Sequence, residues 1–313
     1  MKYTCVNAKH REKLKRIFFF EILIIMFLII YIFINLADSS FVNRLKYTNI
    51  LNVENKFSDD LYLKKSTDNE NSNVQQYVYG NNIDIKKQIA KIGNNNKVES
   101  ILKKFDTYPL TLMKGVARNP ETLDFAYNYS DKAYGSYSEN IDLTEDIKTR
   151  NNGVPILMQW DDRWGYASYC NTTIGISGCG PTCLSMVYIA LTGDTLYNPL
   201  KMARFSEQNG YVVENIGTSW SLFTQGATSL GLYSNTLSVN EKNISNSLNQ
   251  GKYIIASMGP GTFTSSGHFI VISGFNGYSF TINDPFNKKF SSQNWSYSEF
   301  GNQIKSMWAL SYN

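Results

Sequence analysis

Four cysteines and two histidines are the thiols and imidazoles of this 313-residue chain, and their placement narrows the choice of a nucleophile and its base. Cys179 sits between glycines, directly before Pro181-Thr182 and an apolar run to about Leu191 that Gly193 ends, the pattern of a helix start and stop. A thiol that attacks an amide must be ionised near neutral pH. A helix N-terminus and a neighbouring imidazolium both favour that state. The flanking Gly178 and Gly180 are expected to let the backbone turn and a substrate approach. Cys183, one turn inside the same helix, fits a small buried apolar residue. Cys170 reads as a loop thiol, with a Cys170–Cys183 bridge left open.

The base for such a thiol is a histidine. His268 opens an apolar strand, His268-Phe-Ile-Val-Ile-Ser273, just after the turn-rich stretch 259–267. The other histidine, His10, lies in the basic N-terminal tail, so His268 is the sole candidate in the body of the chain. Asn276-Gly277 reads as a type I′ hairpin turn. The returning strand brings Asn283-Asp284-Pro285 back beside His268, so Asp284 can orient the imidazole while Asn283 points to the opposite face. Two histidines are too few for a metal-ligand cluster, and no cofactor is expected.

The elements that must position these groups are an α+β set: helices first, then a meander of strands. Helices are predicted at Val98–Phe105, after Asn119-Pro120-Glu121 with Pro120 in the first turn, from Gly217 to a stop at Gly231, and from Asn240 to Gly251. Strands are predicted at Tyr253–Met258, at His268–Ser273, at Tyr278–Asn283 and around Trp308–Leu310.

The N-terminus is a different kind of sequence. Lys2, Lys9, Arg11, Lys13, Lys15 and Arg16 against Glu12 give residues 1–16 a charge of +5, leaving about −1 for the rest of a chain whose total is +4. A near-neutral body argues against nucleic acid as partner. Ile17–Leu36 is apolar apart from Glu21 and Asn35, and as a helix it would match a hydrocarbon core roughly 30 Å thick. The excess of Lys and Arg before it places residues 1–16 in the cytoplasm and the chain beyond Ala37 outside. Ala37-Asp38-Ser39 offers a cleavage site, with a secreted protein as the alternative, although the apolar run exceeds a usual signal peptide. The expected organisation is a basic tail at 1–16, a membrane anchor at 17–37, a polar stalk at 38–80, a helical extension at 81–150 and a catalytic domain at 151–313.

Five motifs in order, Gln159-Trp-Asp-x-Arg-Trp-Gly165, Ser177-Gly-Cys-Gly-Pro-Thr182, Gly217-Thr-Ser-Trp220, Gly267-His-Phe-Ile-Val271 and Asn283-Asp-Pro285, resemble the C39-like peptidase family. Its relatives include the double-glycine leader peptidases of bacteriocin exporters. The segment around Asn119-Pro-Glu121 also resembles a helical stretch that precedes such domains in Gram-positive proteins. The resemblance implies a papain-like fold, with the N-terminal Cys helix packed on an antiparallel sheet. It implies a Cys179–His268–Asp284 triad, with Gln159 donating to the oxyanion at a longer spacing from the cysteine than in papain-like enzymes generally. The chain carries no Walker motif, so leader processing is not implied. The expected activity is a thiol hydrolase cutting peptide bonds of a peptide or protein substrate, cell-wall peptides included. A thiol acyltransferase, a cell-wall amidase, or a surface binding module without catalysis are the alternatives.

Overall fold

The computed structural model describes residues 81–214 and 216–312. The expected basic tail, membrane anchor and stalk lie outside the described residues. Among the described residues no helix is long and apolar enough to cross a membrane.

Four helices come first: α1 (Asn82–Ala90), α2 (Asn96–Lys103), α3 (Leu110–Arg118) and α4 (Leu123–Lys132). Asparagines cap several of them, because a short side-chain oxygen satisfies the orphan N–H groups of a first turn. Asn81 accepts from the Asp84 N–H, and Asn95 from those of Lys97 and Val98. Asn119 caps the short 3₁₀ turn Pro120–Thr122 that feeds α4. The apolar faces close over Ile89, Ile101, Met113, Val116 and Phe125, and this cluster also takes in Tyr166 from the chain beyond. Phe125 stacks on Tyr166 at 4.4 Å between ring centroids, so the helical segment packs directly on the turn around Tyr166.

The central helix α5 (Cys179–Thr192) is buried without interruption from Gly180 to Ile189. An all-round apolar helix belongs inside a core. Its three hydroxyls there are satisfied, Thr182 by the Gly178 carbonyl at 2.7 Å, Ser185 by the Tyr197 carbonyl at 2.7 Å and Tyr188 by Asp194 Oδ2 at 3.3 Å. Gly193 ends it in the left-handed region at φ 75°. Next come α6 (Pro199–Gln208) and then a departure from expectation. In place of a helix from Gly217, residues Gly217–Thr218 form a strand bridge. A 3₁₀ turn at Trp220–Phe223 and a five-residue helix at Gln225–Ser229 come after it. The physical reason is tertiary: Gly217 has φ 130°, outside helical space, and Thr218 is drawn onto α5, where it fills the space beside Gly180.

The sheet comprises β1 (Tyr233–Leu237), β2 (Tyr253–Met258), β3 (His268–Phe275), β4 (Phe280–Asn283), β5 (Asn294–Trp295) and β6 (Ile304–Ser311), in the order β5-β4-β3-β2-β6-β1. Every pairing is antiparallel. Helix α7 (Glu241–Asn249) joins β1 to β2 and starts at the expected Asn240 cap. Alternation along β3 sorts its residues into two cores. Phe269 and Val271 pack with α5, whereas Ile270 and Ile272 pack with Ile244 of α7 and with Phe280 and Ile282 of β4. Covered on both faces, β3 has no polar side to show, which is why its sequence is an unbroken apolar run.

The β3–β4 connection is not the expected type I′ turn. Phe275 pairs with Phe280 across a four-residue loop, and Gly277, but not Asn276, has a positive φ. Asn276 instead turns its side-chain oxygen inward to accept from the Tyr278 and Ser279 N–H groups at 3.0 and 2.9 Å.

Candidate active site

Three elements converge on one point. Helix α5 begins at Cys179, β3 begins at His268, and Asp284 is the first residue beyond β4. The His268 Nε2–H donates to Asp284 Oδ1 at 2.8 Å, with His268 only 8% exposed and Asp284 1%. That bond leaves Nδ1 as the ring nitrogen available on the other side. Cys179 lies near enough to the same ring to favour its charged form. Burial works against the imidazolium, but the charge and hydrogen bond of Asp284 outweigh it, with a further contribution from Cys179, and the His268 pKa rises to about 10. The ring is therefore charged across the neutral range, next to a half-buried thiol at a helix N-terminus.

Asp284 is itself held in place. Its N–H donates to Ser291 Oγ at 2.9 Å, and its Oδ1 accepts the Phe286 N–H at 2.7 Å as well as the imidazole. The Phe286 carbonyl takes two donors, Asn119 Nδ2 at 2.6 Å and Trp160 Nε1 at 2.8 Å. Glu121 Oε2 accepts the Lys288 N–H at 2.8 Å. The turn before α4 thus clasps the loop that presents Asp284. Its neighbour Asn283 faces elsewhere, as expected: it is fully buried and its amide bridges the Val154 and Pro155 carbonyls.

Gln159 lies beside Cys179 in the same cleft. Its Nε2 donates to the Gly175 carbonyl at 2.9 Å and, more weakly, to that of Ile176 at 3.4 Å, while its Oε1 is buried with no hydrogen-bond partner. Its backbone N–H donates to the Pro285 carbonyl, joining the Gln159 turn to the Asp284 loop. The rest of that motif is architectural: Arg163 bonds to the carboxylates of Asp146 and Asp161, and Trp164 is fully buried.

The glycines beside Cys179 serve packing rather than substrate access. A side chain at Gly178 would strike Ile174, and one at Gly180 would strike Thr218. Cys170 and Cys183 are not joined to each other, so the bridge left open by the sequence is not formed, and the Cys170 thiol donates to the Val213 carbonyl at 3.3 Å. Burial pushes the Cys183 thiol well above its ordinary pKa, helped by the charges of Cys179 and Asp284. It is an inert core residue, consistent with its place one turn into α5.

The cleft has a volume of about 540 Å³, and one side of it has no counterpart in the sequence motifs. Lys114, Gly115 and Arg118 of α3 and Phe125 of α4 line it together with Trp220 and Phe286. A Cβ at Gly175 would collide with the Phe125 ring, which shows how closely the helical segment is fitted to the chain leading into Cys179. Asn119 carries a sequence signal only as a helix cap. Its bond to a carbonyl 167 positions away has no local signature.

None of the curated proteins matches the chain in sequence. Among solved structures it is similar to the peptidase domain of Streptococcus ComA, a bi-functional ABC transporter involved in a quorum-sensing pathway. That match has 18% identity, covers 44% of this chain and 92% of that one, and has a TM-score of 0.35. It is also similar to a Bacillus anthracis protein described as a C39-like peptidase, at 16% identity, 52% and 96% coverage and a TM-score of 0.37. The model of the Peptidase_C39 like family matches residues 151–313, the stretch that holds Gln159, Cys179, His268 and Asp284, and the chain belongs to that family.

Proposed function

We propose that this chain is a thiol peptidase in which Cys179 is the nucleophile, His268 the acid and base, and Asp284 the orienting group. The observation that carries it is the buried His268–Asp284 bond of 2.8 Å on one ring nitrogen, in the same cleft as the Cys179 thiol at its helix N-terminus. The Cys179 thiolate attacks the scissile carbonyl carbon, and the carbonyl π pair moves to oxygen. Collapse of this intermediate breaks the C–N bond as the His268 Nδ1–H protonates the leaving amine. The neutral imidazole then takes a proton from water. The resulting hydroxide adds to the thioester, and the thiolate leaves to regenerate the imidazolium pair. Asp284 keeps the ring in one tautomer and stabilises its charged form. Gln159 serves the oxyanion by exchanging its long 3.4 Å contact to the Ile176 carbonyl for the substrate oxygen, while its 2.9 Å bond to Gly175 holds the amide in place.

His268→Ala removes thiolate stabilisation and leaving-group protonation together, so hydrolysis of a fluorogenic peptide library should fall on the order of 10²–10⁴-fold. The variant should still unfold cooperatively on heating. Near wild-type hydrolysis by a folded His268→Ala protein would sink the assignment. Collapse of the fold would instead make His268 a core residue.

The same reading puts the peptidase outside the cell membrane, anchored through Ile17–Leu36, with a peptide or protein as its substrate. The support is the basic flank before that apolar run. Protease added to intact cells should digest the domain while the protein stays with membranes after carbonate washing. A protected domain would reverse the orientation, and a soluble form starting at Ser40 would make the segment a cleaved signal.

A further inference from the structure

Lys114 and Arg118 lie four residues apart on α3, on one face of that helix, and both line the cleft that holds Cys179. The Arg118 guanidinium donates to the Thr262 carbonyl at 3.4 Å, which keeps its head beside the 263–269 wall. Lys114 has no ion-pair partner among the described residues. No Asp or Glu is among the described residues lining the cleft. Two carboxylates on the turns behind the cleft are committed elsewhere, Asp284 to His268 and Glu121 to the Lys288 N–H. The rest of the lining, apart from Gln159, Cys179, His268 and glycines, is apolar (Leu112, Ile176, Trp220, Phe286 among others) or hydroxyl-bearing (Thr111, Thr218 among others). A cation such as Lys114 in a half-enclosed cleft whose described wall holds no carboxylate raises the local concentration of anions. Its N–H groups form charge-assisted bonds that offset a carboxylate's desolvation.

We propose that the cleft selects peptides carrying a carboxylate near the bond presented to Cys179, and that Lys114, aided by Arg118, is the group that selects it. The inference deepens the peptidase reading and rests on it for the chemistry after binding. The carboxylate has two sources to distinguish, an acidic side chain within the peptide and a free C-terminus.

The test is calorimetric, on the full chain carrying Cys179→Ala so that bound peptide is not turned over. The probes are N-acetylated Ala/Gly hexapeptides with one Glu placed at successive positions, each with its Gln counterpart, and each as the free acid and the C-terminal amide. One acidic form should bind about tenfold more tightly than its neutral partner, the scale of a charge-assisted hydrogen bond at a partly exposed site, and the gap should narrow as salt rises. A Glu/Gln gap assigns the carboxylate to a side chain, and an acid/amide gap assigns it to the terminus. Lys114→Gln should remove most of the gap, and Lys114→Arg should keep it. Lys114→Met, which preserves the packing of the stem, serves in place of Lys114→Gln should that variant unfold. Equal affinity for acidic and neutral peptides, absence of binding by all of them, or a gap undiminished in both Lys114→Gln and Lys114→Met would overturn the proposal. The same peptides given to the chain with Cys179 restored separate the two readings. A carboxylate preference in binding with no cleavage would remove the peptidase and leave the carboxylate site standing.

Discussion

Cys179 and His268 reach the cleft from the central helix and the sheet, with Asp284 bonded behind His268, inside the family-matched residues 151–313, whereas Lys114 and Arg118 reach it from the helical segment that precedes them, and Asn119 of that segment bonds to Phe286. The first region fixes its groups by being the ends of regular elements: a helix N-terminus, a strand start, the residue after a strand. The second has none of the three groups proposed for the chemistry. It lines one side of the cleft and reaches the Asp284 loop through hydrogen bonds to a distant backbone. The difference separates two kinds of control. Changes in the first region should strike the chemical step, and changes in the second should strike it only through the loop or alter which peptide is accepted.

The largest effect expected from this contrast comes from the first region. Asp284→Asn keeps the shape but removes the charge that outweighs burial at His268. Peptide hydrolysis should then fall on the order of 10²-fold, less than for loss of the histidine itself, because Asp284 orients the base without moving protons. The pH profile should change with it. In the wild type the His268 pKa is raised to about 10, above its unfolded value of roughly 6.5. The pair therefore contributes stability in full below about pH 6.5 and loses it as pH climbs toward 10. Activity should have its alkaline limit in the same upper range. In Asp284→Asn the remaining burial lowers the pKa, so that limit should move toward neutrality. Thermal unfolding of the variant should also lose the part of the alkaline destabilisation that belongs to this pair. An alkaline limit that stays put would break the link between Asp284 and the charge on His268.

The first region was legible because its signals are local. Gly-Cys-Gly-Pro marks a helix start, an apolar run marks a strand buried on both faces, and the placement of Asn283-Asp284 after a returning strand follows from antiparallel pairing. Local signals misled where tertiary contact prevailed. Thr218 packs against Gly180 and pulls the 217–223 stretch out of a helix, and the Asn276 side chain supports a longer loop than the dipeptide suggests. The second region was legible as helices and caps and illegible as a cleft wall. An Asn before Pro-Glu is a cap in any context, and nothing in those residues specifies Phe286 as a partner. Gln159 falls between: the motif placed it near Cys179, but its unpaired Oε1 is a property of the folded site alone.

A smaller effect is expected from the second region, and it tests whether that region takes part in holding the triad. Asn119→Ser retains a cap acceptor for the Glu121 N–H but is too short to keep the 2.6 Å bond to the Phe286 carbonyl. If the bond positions Asp284 through the Phe286 N–H, kcat should fall about tenfold with KM little changed, roughly the worth of one buried hydrogen bond. A variant that loses stability with kcat unaltered would show a purely structural contact.

The smallest effect is the most discriminating, because the Phe286 carbonyl takes one donor from each region, Asn119 from the helical segment and Trp160 from the family-matched domain. A carbonyl oxygen has two lone pairs and accommodates both. Trp160→Phe removes the 2.8 Å indole bond while keeping an aromatic face beneath the Lys288 ammonium, which lies 5.0 Å from the ring. Alone it should lower kcat only a few-fold, since the shorter 2.6 Å bond from Asn119 is the one that remains. Combined with Asn119→Ser it leaves that oxygen without either donor. The double variant should then lose more than the two single losses together, with a coupling of about 1 kcal/mol in the cycle. Additive losses would mean that the two regions hold the loop independently, and the Asn119 bond would then be a seam between them rather than part of the support for Asp284. Coupling that also appears as a joint shift of the alkaline limit of activity would place both donors behind the same imidazolium.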